Sequence, residues 1–147
     1  MVWGCFSWYG VGPIFWIKQK MDQYLYAEIL ETIMLPYAEW DMPLKWTFMQ
    51  DNDPKPTARS VKKWFCDRKI DVLEWPAQSP DLNPIENLWS IVKKSIGPSK
   101  SRNKEELWSK VQEAWYAIPI GTCQALVDSM PKRVREVIRN KGYTTKY

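Results

Sequence analysis

The apolar positions of this 147-residue chain change their period along its length. Residues 1–17 carry no charge at all. Gly10, Gly12 and Pro13 interrupt them, so they are too broken for a membrane span, which needs about 20 apolar residues. No basic residues precede them, as a signal peptide would require. They read instead as two strands, 1–7 and 13–18, joined by a turn around Tyr9-Gly10-Val11-Gly12. Further on the period lengthens. Tyr26, Leu30, Ile33, Met34 and Tyr37 form one stripe of a helix over 22–39, with Asp22 as its N-cap. Residues 45–50 return to strand character and run into Asp51. A second helix over 57–68 turns Ala58, Val61, Trp64 and Phe65 inward and Arg59, Lys62 and Lys63 outward, and a short strand follows at 70–75.

The second half is helical. After a proline-rich loop over 76–84, a helix starts at Asn83 or Pro84 and carries Ile85, Leu88, Trp89, Val92 and Ile96 on one face. Gly97-Pro98 stops it. Asn103-Lys104-Glu105-Glu106 is a capping-box pattern that opens a helix bearing Leu107, Val111, Ala114 and Trp115. A last helix covers 122–140, with a kink expected at Pro131. Strand, strand, helix, strand, helix, strand and three helices make an α/β domain with an added helical C-terminal part.

Composition narrows the chemistry. The chain has no histidine, so a His base, a catalytic triad and a His-ligated zinc site are excluded. Cys5, Cys66 and Cys123 are odd in number and far apart, which suits three small buried side chains in a reducing compartment. Ten tryptophans imply a large aromatic core rather than base-stacking platforms. Residues 1–91 carry 9 Lys/Arg against 12 Asp/Glu, whereas residues 92–147 carry 12 against 5. That basic tail points to a polyanion partner, with solvated helix faces as the alternative. Lys93 and Lys94, with Lys132, Arg133, Arg135, Arg139 and Lys141, are its candidate phosphate contacts, and such binding is salt-sensitive and weak in sequence preference.

Two carboxylates stand out. Asp51 follows a strand, where sites collect in open α/β sheets. Glu86 lies in the first turn of a helix. Residues 52–85 between them hold one helix and one strand, a crossover that can return the chain beside the first strand. A hard divalent cation would offset the repulsion of two such carboxylates and could support phosphodiester cleavage. Each residue also has a plainer role: Asp51 in an Asx-turn, and Glu86 as the capping-box partner of Asn83.

The blocks Gln50-Asp51-Asn52-Asp53-Pro54-Lys55 and Trp75-Pro76-Ala77-Gln78-Ser79-Pro80-Asp81-Leu82-Asn83-Pro84-Ile85-Glu86-Asn87-Leu88-Trp89 resemble the catalytic domain of mariner-superfamily transposases of the D-D-E type. The opening Val2-Trp3-Gly4-Cys5-Phe6-Ser7 and the ending Gly142-Tyr143-Thr144-Thr145-Lys146-Tyr147 share the likeness, which spans essentially the whole chain. The resemblance implies a ribonuclease-H-like fold, Mg²⁺- or Mn²⁺-dependent cleavage at transposon ends, and strand transfer into target DNA. Asp51 matches the second carboxylate of the triad and Glu86 the last, both as metal ligands. No catalytic role carries over to Asp53. Residues 1–97 then form a partial catalytic core, and residues 98–147 a basic helical extension of the same domain.

The sequence departs from the family pattern in two places. The first aspartate and its central strand have no counterpart here, and the abrupt strand-like start at Met1 suggests a truncation point. Pro56 replaces the histidine usual in that loop. The expectation is weak metal binding and little or no cleavage by this chain alone. A central strand missing between the hairpin and residues 45–50 would leave unpaired sheet edges; the hairpin could collapse onto residues 45–50, or another chain could supply the strand. The alternative reading is a non-catalytic remnant of a transposon that binds DNA or protein. DNA is the implied partner, a homo-oligomer is a candidate assembly, and neither a membrane nor a small-molecule substrate is expected. Nuclear location rests on the resemblance alone.

Overall fold

The computed structural model describes residues 1–51, 58–75, 82–98 and 101–140. The chain divides into two compact units, one made of Met1–Gly4 with Phe15–Ser79, the other of Cys5–Ile14 with Pro80–Tyr147.

The hairpin contributes to both. Strands β1 (Val2–Ser7) and β2 (Gly10–Trp16) pair around a turn at Trp8 and Tyr9. Met1 and Ile17 exchange backbone bonds at its open end, which sets the antiparallel register. The glycines expected in the turn lie in β2 instead. At φ +131°, Gly10 adopts a backbone that L side chains rarely take, so it serves as the hinge into the strand. The Ser7 hydroxyl accepts from the Tyr9 amide at 3.1 Å and closes the turn from the other side.

In the first unit, α1 (Gln23–Ile29) begins where expected, with an Asp22 carboxylate oxygen accepting from the amides of Tyr24 and Leu25. A π-helical turn, Leu30–Met34, then leads into α2 (Leu35–Asp41). Pro36 explains the wide turn. It has no N–H, and its ring would press on the carbonyl four residues back, so the chain opens and the Leu35 amide reaches Leu30 O. The consequence is a changed stripe. Tyr26, Leu30, Met34 and Ala38, each four apart, form the stripe in this core, and Ile29 is buried as well. In a regular helix that spacing drifts by about 40° per step, and the π-turn takes up the drift. Ile33 and Tyr37, expected inside, are only half-buried.

The helical stripe packs on Val61 and Phe65 of α3 (Arg59–Asp67), with Trp3, Trp46, Phe48 and Trp64 around them. Lys69, at φ +54°, and the Ile70 amide bonded to Phe65 O close α3 in the left-handed manner usual for glycine. Strands β3 (Thr47–Phe48) and β4 (Asp71–Val72) are parallel, with Thr47 opposite Asp71 and Phe48 opposite Val72. The expected crossover is therefore present. The strands are much shorter than the six-residue runs predicted, and among the described residues each sheet has only two strands, with the hairpin not paired to β3.

The second unit is built on α4 (Ile85–Ile96), α5 (Lys104–Tyr116), α6 (Ile120–Asp128) and α7 (Met130–Arg139). Its core centres on Trp115, which is fully buried, stacks on Trp89 at 4.6 Å between centroids, and donates from Nε1 to Gly12 O at 2.8 Å. Leu88, Val92, Ile118 and Cys123 are buried as well. Leu107, expected on the inner stripe of α5, is exposed. Asn103 caps α5 through the Glu106 amide, while the Glu106 carboxylate accepts from the Arg102 amide, one residue before the position a regular capping box uses. That amide, then Lys110, holds the Glu106 carboxyl below the usual range. The single long helix expected over 122–140 is two helices. Pro131 cannot bond back and crowds the preceding turn, so the break falls at Ser129.

Cys123 is buried and Cys5 half-buried, but Cys66 is exposed on α3, against the expectation that all three would be covered. Of the tryptophans, only Trp8 and Trp40 are exposed; Trp115 is buried with Trp89 stacked on it, and Trp3, Trp46 and Trp64 pack against the core of the first unit. No helix among the described residues is long and apolar enough to cross a membrane.

Candidate functional site

Asp51 lies in the first unit, three residues past the end of β3, with its side chain exposed. The strand holds its approach from one side. From the other, the Tyr26 hydroxyl, which extends from the buried stripe of α1, donates to Gln50 Oε1 at 2.8 Å. A core side chain therefore tethers the residue next to Asp51. Asp53 and Pro56 fall outside the described residues.

Glu86 lies in the second unit, in the first turn of α4, and is exposed. Pro84, at φ −68°, is preset for a helix start. The Asn83 side chain accepts from the Ile85 amide at 3.3 Å, so it makes a tight local turn rather than the capping box with Glu86 that its spacing allowed. The Glu86 and Asn87 amides donate to Asn83 O and Pro84 O, both at 3.2 Å. Glu86 thus has its backbone satisfied and its carboxylate directed to solvent, at a helix end that favours negative charge.

The carboxylates of Asp51 and Glu86 are hard oxygen donors of the type Mg²⁺ and Mn²⁺ take, so the donor chemistry fits such an ion. Among the described residues, no group of three or more His, Cys, Asp or Glu gathers into a metal site.

The basic candidates separate. Lys93 and Lys94 are exposed in the last turns of α4, and Lys132, Arg135 and Arg139 are exposed on α7. Arg133 is not a surface cation: it is 2% exposed. Its Nε donates to Ser129 Oγ at 2.9 Å and its Nη2 to Asn87 Oδ1 at 2.8 Å. Lys141 falls outside the described residues. The reading by charge missed this because a basic helix does not announce which arginine faces inward. Apolar spacing pointed the other way: Met130, Val134, Val137 and Ile138 fall at i, i+4, i+7 and i+8, yet Val134 and Ile138 are exposed and Arg133 takes the buried position. Asn87, next to Glu86, was missed as well, because its partner Arg133 lies 46 residues away.

A family model for the DDE superfamily endonucleases matches residues 9–117. The chain belongs to this DDE endonuclease family. The Tcb1 transposable-element transposase of Caenorhabditis briggsae is 45% identical over 147 residues, which is all of this chain and 54% of that protein. The chain spans about half the length of the curated relatives it matches. Among solved structures, the catalytic domain of the Mos1 mariner transposase superposes with a TM-score of 0.87 at 18% identity, covering 99% of this chain and 75% of that one. The Mos1 paired end complex with Mn gives a TM-score of 0.90 at 18% identity, over 99% of this chain and 44% of that one. The DDE chain thus has the Mos1 catalytic fold, the ribonuclease-H-like α/β architecture expected from its motifs.

Proposed function

We propose that this chain is the part of a DDE transposase catalytic domain that carries its second and third acidic residues, Asp51 and Glu86, and that its reaction is metal-dependent DNA cleavage and strand transfer. The observation that carries this reading is that the family match over residues 9–117 encloses both carboxylates. Asp51 and Glu86 would hold Mg²⁺ or Mn²⁺, which supplies an activated oxygen nucleophile and stabilises the departing oxygen. The chain's own residues do the positioning. Tyr26 and Gln50 brace the approach to Asp51, and the tight turn at Asn83 and Pro84 presents Glu86. The D-D-E pattern implies a third carboxylate besides Asp51 and Glu86.

The partner is DNA, transposon ends and target, and the Mos1 complexes with a transposon end support it for the family. The exposed cations Lys93, Lys94, Lys132, Arg135 and Arg139 would meet backbone phosphate, so affinity falls steeply as salt rises. Self-association and action in the nucleus belong to the same proposal.

The test is a Mn²⁺ titration and a plasmid-nicking assay on the purified chain. Weak Mn²⁺ binding that Asp51→Asn and Glu86→Gln each reduce further, with little nicking, is the expected result, because two of three anchoring groups are supplied. Robust Mg²⁺-dependent nicking abolished by Asp51→Asn would overturn the need for a third carboxylate. Mn²⁺ binding that ignores both substitutions would overturn the metal assignment.

A further inference from the structure

We infer that Arg133 is a positioning residue for Glu86, acting through Asn87; this rests on the reading of Glu86 as a metal ligand. An arginine at 2% exposure inside a strongly basic helix needs an explanation, because taking a guanidinium out of water is costly unless good acceptors meet it. Here the acceptors form a directed chain. The Ser129 hydroxyl, in the break between α6 and α7, donates to Leu126 O at 2.6 Å and accepts from Arg133 Nε. The other end of the guanidinium reaches Asn87 Oδ1 at 2.8 Å. Asn87 is the residue after Glu86, in a first turn where the Glu86 and Asn87 amides donate to Asn83 O and Pro84 O at 3.2 Å and the Ser90 hydroxyl donates to Glu86 O at 2.9 Å. These bonds are local to α4, and helix ends fray readily, so a tie to another element adds constraint to that turn. The planar fork of Arg133 ties it to α7 at a fixed angle, which a lysine ammonium cannot do. Fixing Asn87 fixes the backbone from which the Glu86 side chain springs. The break at Ser129 has a use in this arrangement, since it supplies the hydroxyl that orients the guanidinium.

The experiment follows amide hydrogen exchange at Glu86 and Asn87 together with Mn²⁺ affinity in the 147-residue chain. The variants are Arg133→Lys, Asn87→Leu, Asn87→Asp, Glu86→Gln and a control, Ile118→Ala, which weakens the same unit at a buried residue outside α4 and α7. In Arg133→Lys and Asn87→Leu, protection at those two amides is expected to fall about tenfold relative to the rest of α4, and the Mn²⁺ dissociation constant to rise about tenfold. Asn87→Asp keeps an acceptor for the guanidinium and is expected to retain protection. Ile118→Ala should lower the melting temperature without selective loss at either amide. Selective loosening without a change in Mn²⁺ affinity, while Glu86→Gln does change it, would overturn the positioning role. Loss of protection in Ile118→Ala equal to that in Arg133→Lys would also overturn it, by showing only general weakening. If Glu86→Gln leaves Mn²⁺ binding as it was, the metal reading itself has failed, and the positioning role falls with it.

Discussion

The two units stabilise themselves differently. In the first, a helix widened by one π-turn lays four residues, each a four-residue step apart, onto two residues of α3, and its polar contacts stay near the rim, as with Glu31 between Trp64 Nε1 and Arg68. In the second, the core is pinned by directed bonds. Trp115 reaches the Gly12 carbonyl, and Arg133 reaches Asn87 and Ser129. A core held by shape tolerates substitutions that keep volume, whereas one held by buried polar bonds fails when a single partner is lost. The two acidic residues inherit this difference. Both have a neighbour held by a buried side chain, but Asp51 follows a two-residue strand, while Glu86 stands on a twelve-residue helix.

The sharpest way to break the comparison is to remove each centre. Trp115→Ala should cost about 3–5 kcal/mol, and Trp115→Phe, which keeps an aromatic ring but loses the N–H to Gly12 O and part of the indole volume, at least about 1–3 kcal/mol. In the first unit, Leu30→Met should cost under about 1.5 kcal/mol, because it conserves volume and breaks no polar bond. Urea melts followed by tryptophan fluorescence decide this, and equal losses for Trp115→Phe and Leu30→Met would remove the distinction. A smaller effect compares the caps, Asp22 in the first unit and Asn103 in the second. Each substitution to alanine should cost about 1 kcal/mol, since both caps are exposed and independent of the cores.

A further effect, diagnostic because it depends on pH, concerns the thiols. Burial pushes the Cys5 thiol up to about 12 and raises Cys123 as well. Their folded values lie above the unfolded ones, so their contribution is present below about pH 9 and is lost as pH rises toward 12. Stability should therefore decline over that window, and decline less in Cys5→Ala, as pH-dependent urea melts would show. At neutral pH, an alkylating reagent should label exposed Cys66 well before the other two, measured by peptide mass mapping.

Much of this was legible in the sequence, and the exceptions have physical causes. Asp22, Asn103 and Gly97 mark helix ends through local chemistry alone, and local chemistry is what a sequence displays. The crossover from β3 through α3 to β4 follows from element order. The π-turn was not legible, because the crowding by Pro36 is resolved by the helix widening rather than by its ending. Strand lengths were overestimated because apolar alternation reports propensity, whereas a ladder needs a neighbour, and β3 and β4 have only each other among the described residues. At the site, the acidic residues were visible by type and spacing. Their supports, Tyr26 with Gln50 and Arg133 with Asn87, are separated by 24 and 46 residues, and no local pattern encodes such pairs.

The bond from Trp115 to the hairpin has a consequence for biogenesis. Gly12 and Trp115 are 103 residues apart. A ribosome adding about 5–20 residues per second leaves the glycine-rich hairpin without its indole for several seconds or more. Over that interval an uncharged, aromatic segment is outside the exit tunnel with nothing from its own unit to cover it. Contacts of such long range also slow folding after release. The same tie that makes the finished core specific makes the nascent chain a natural client for holding chaperones.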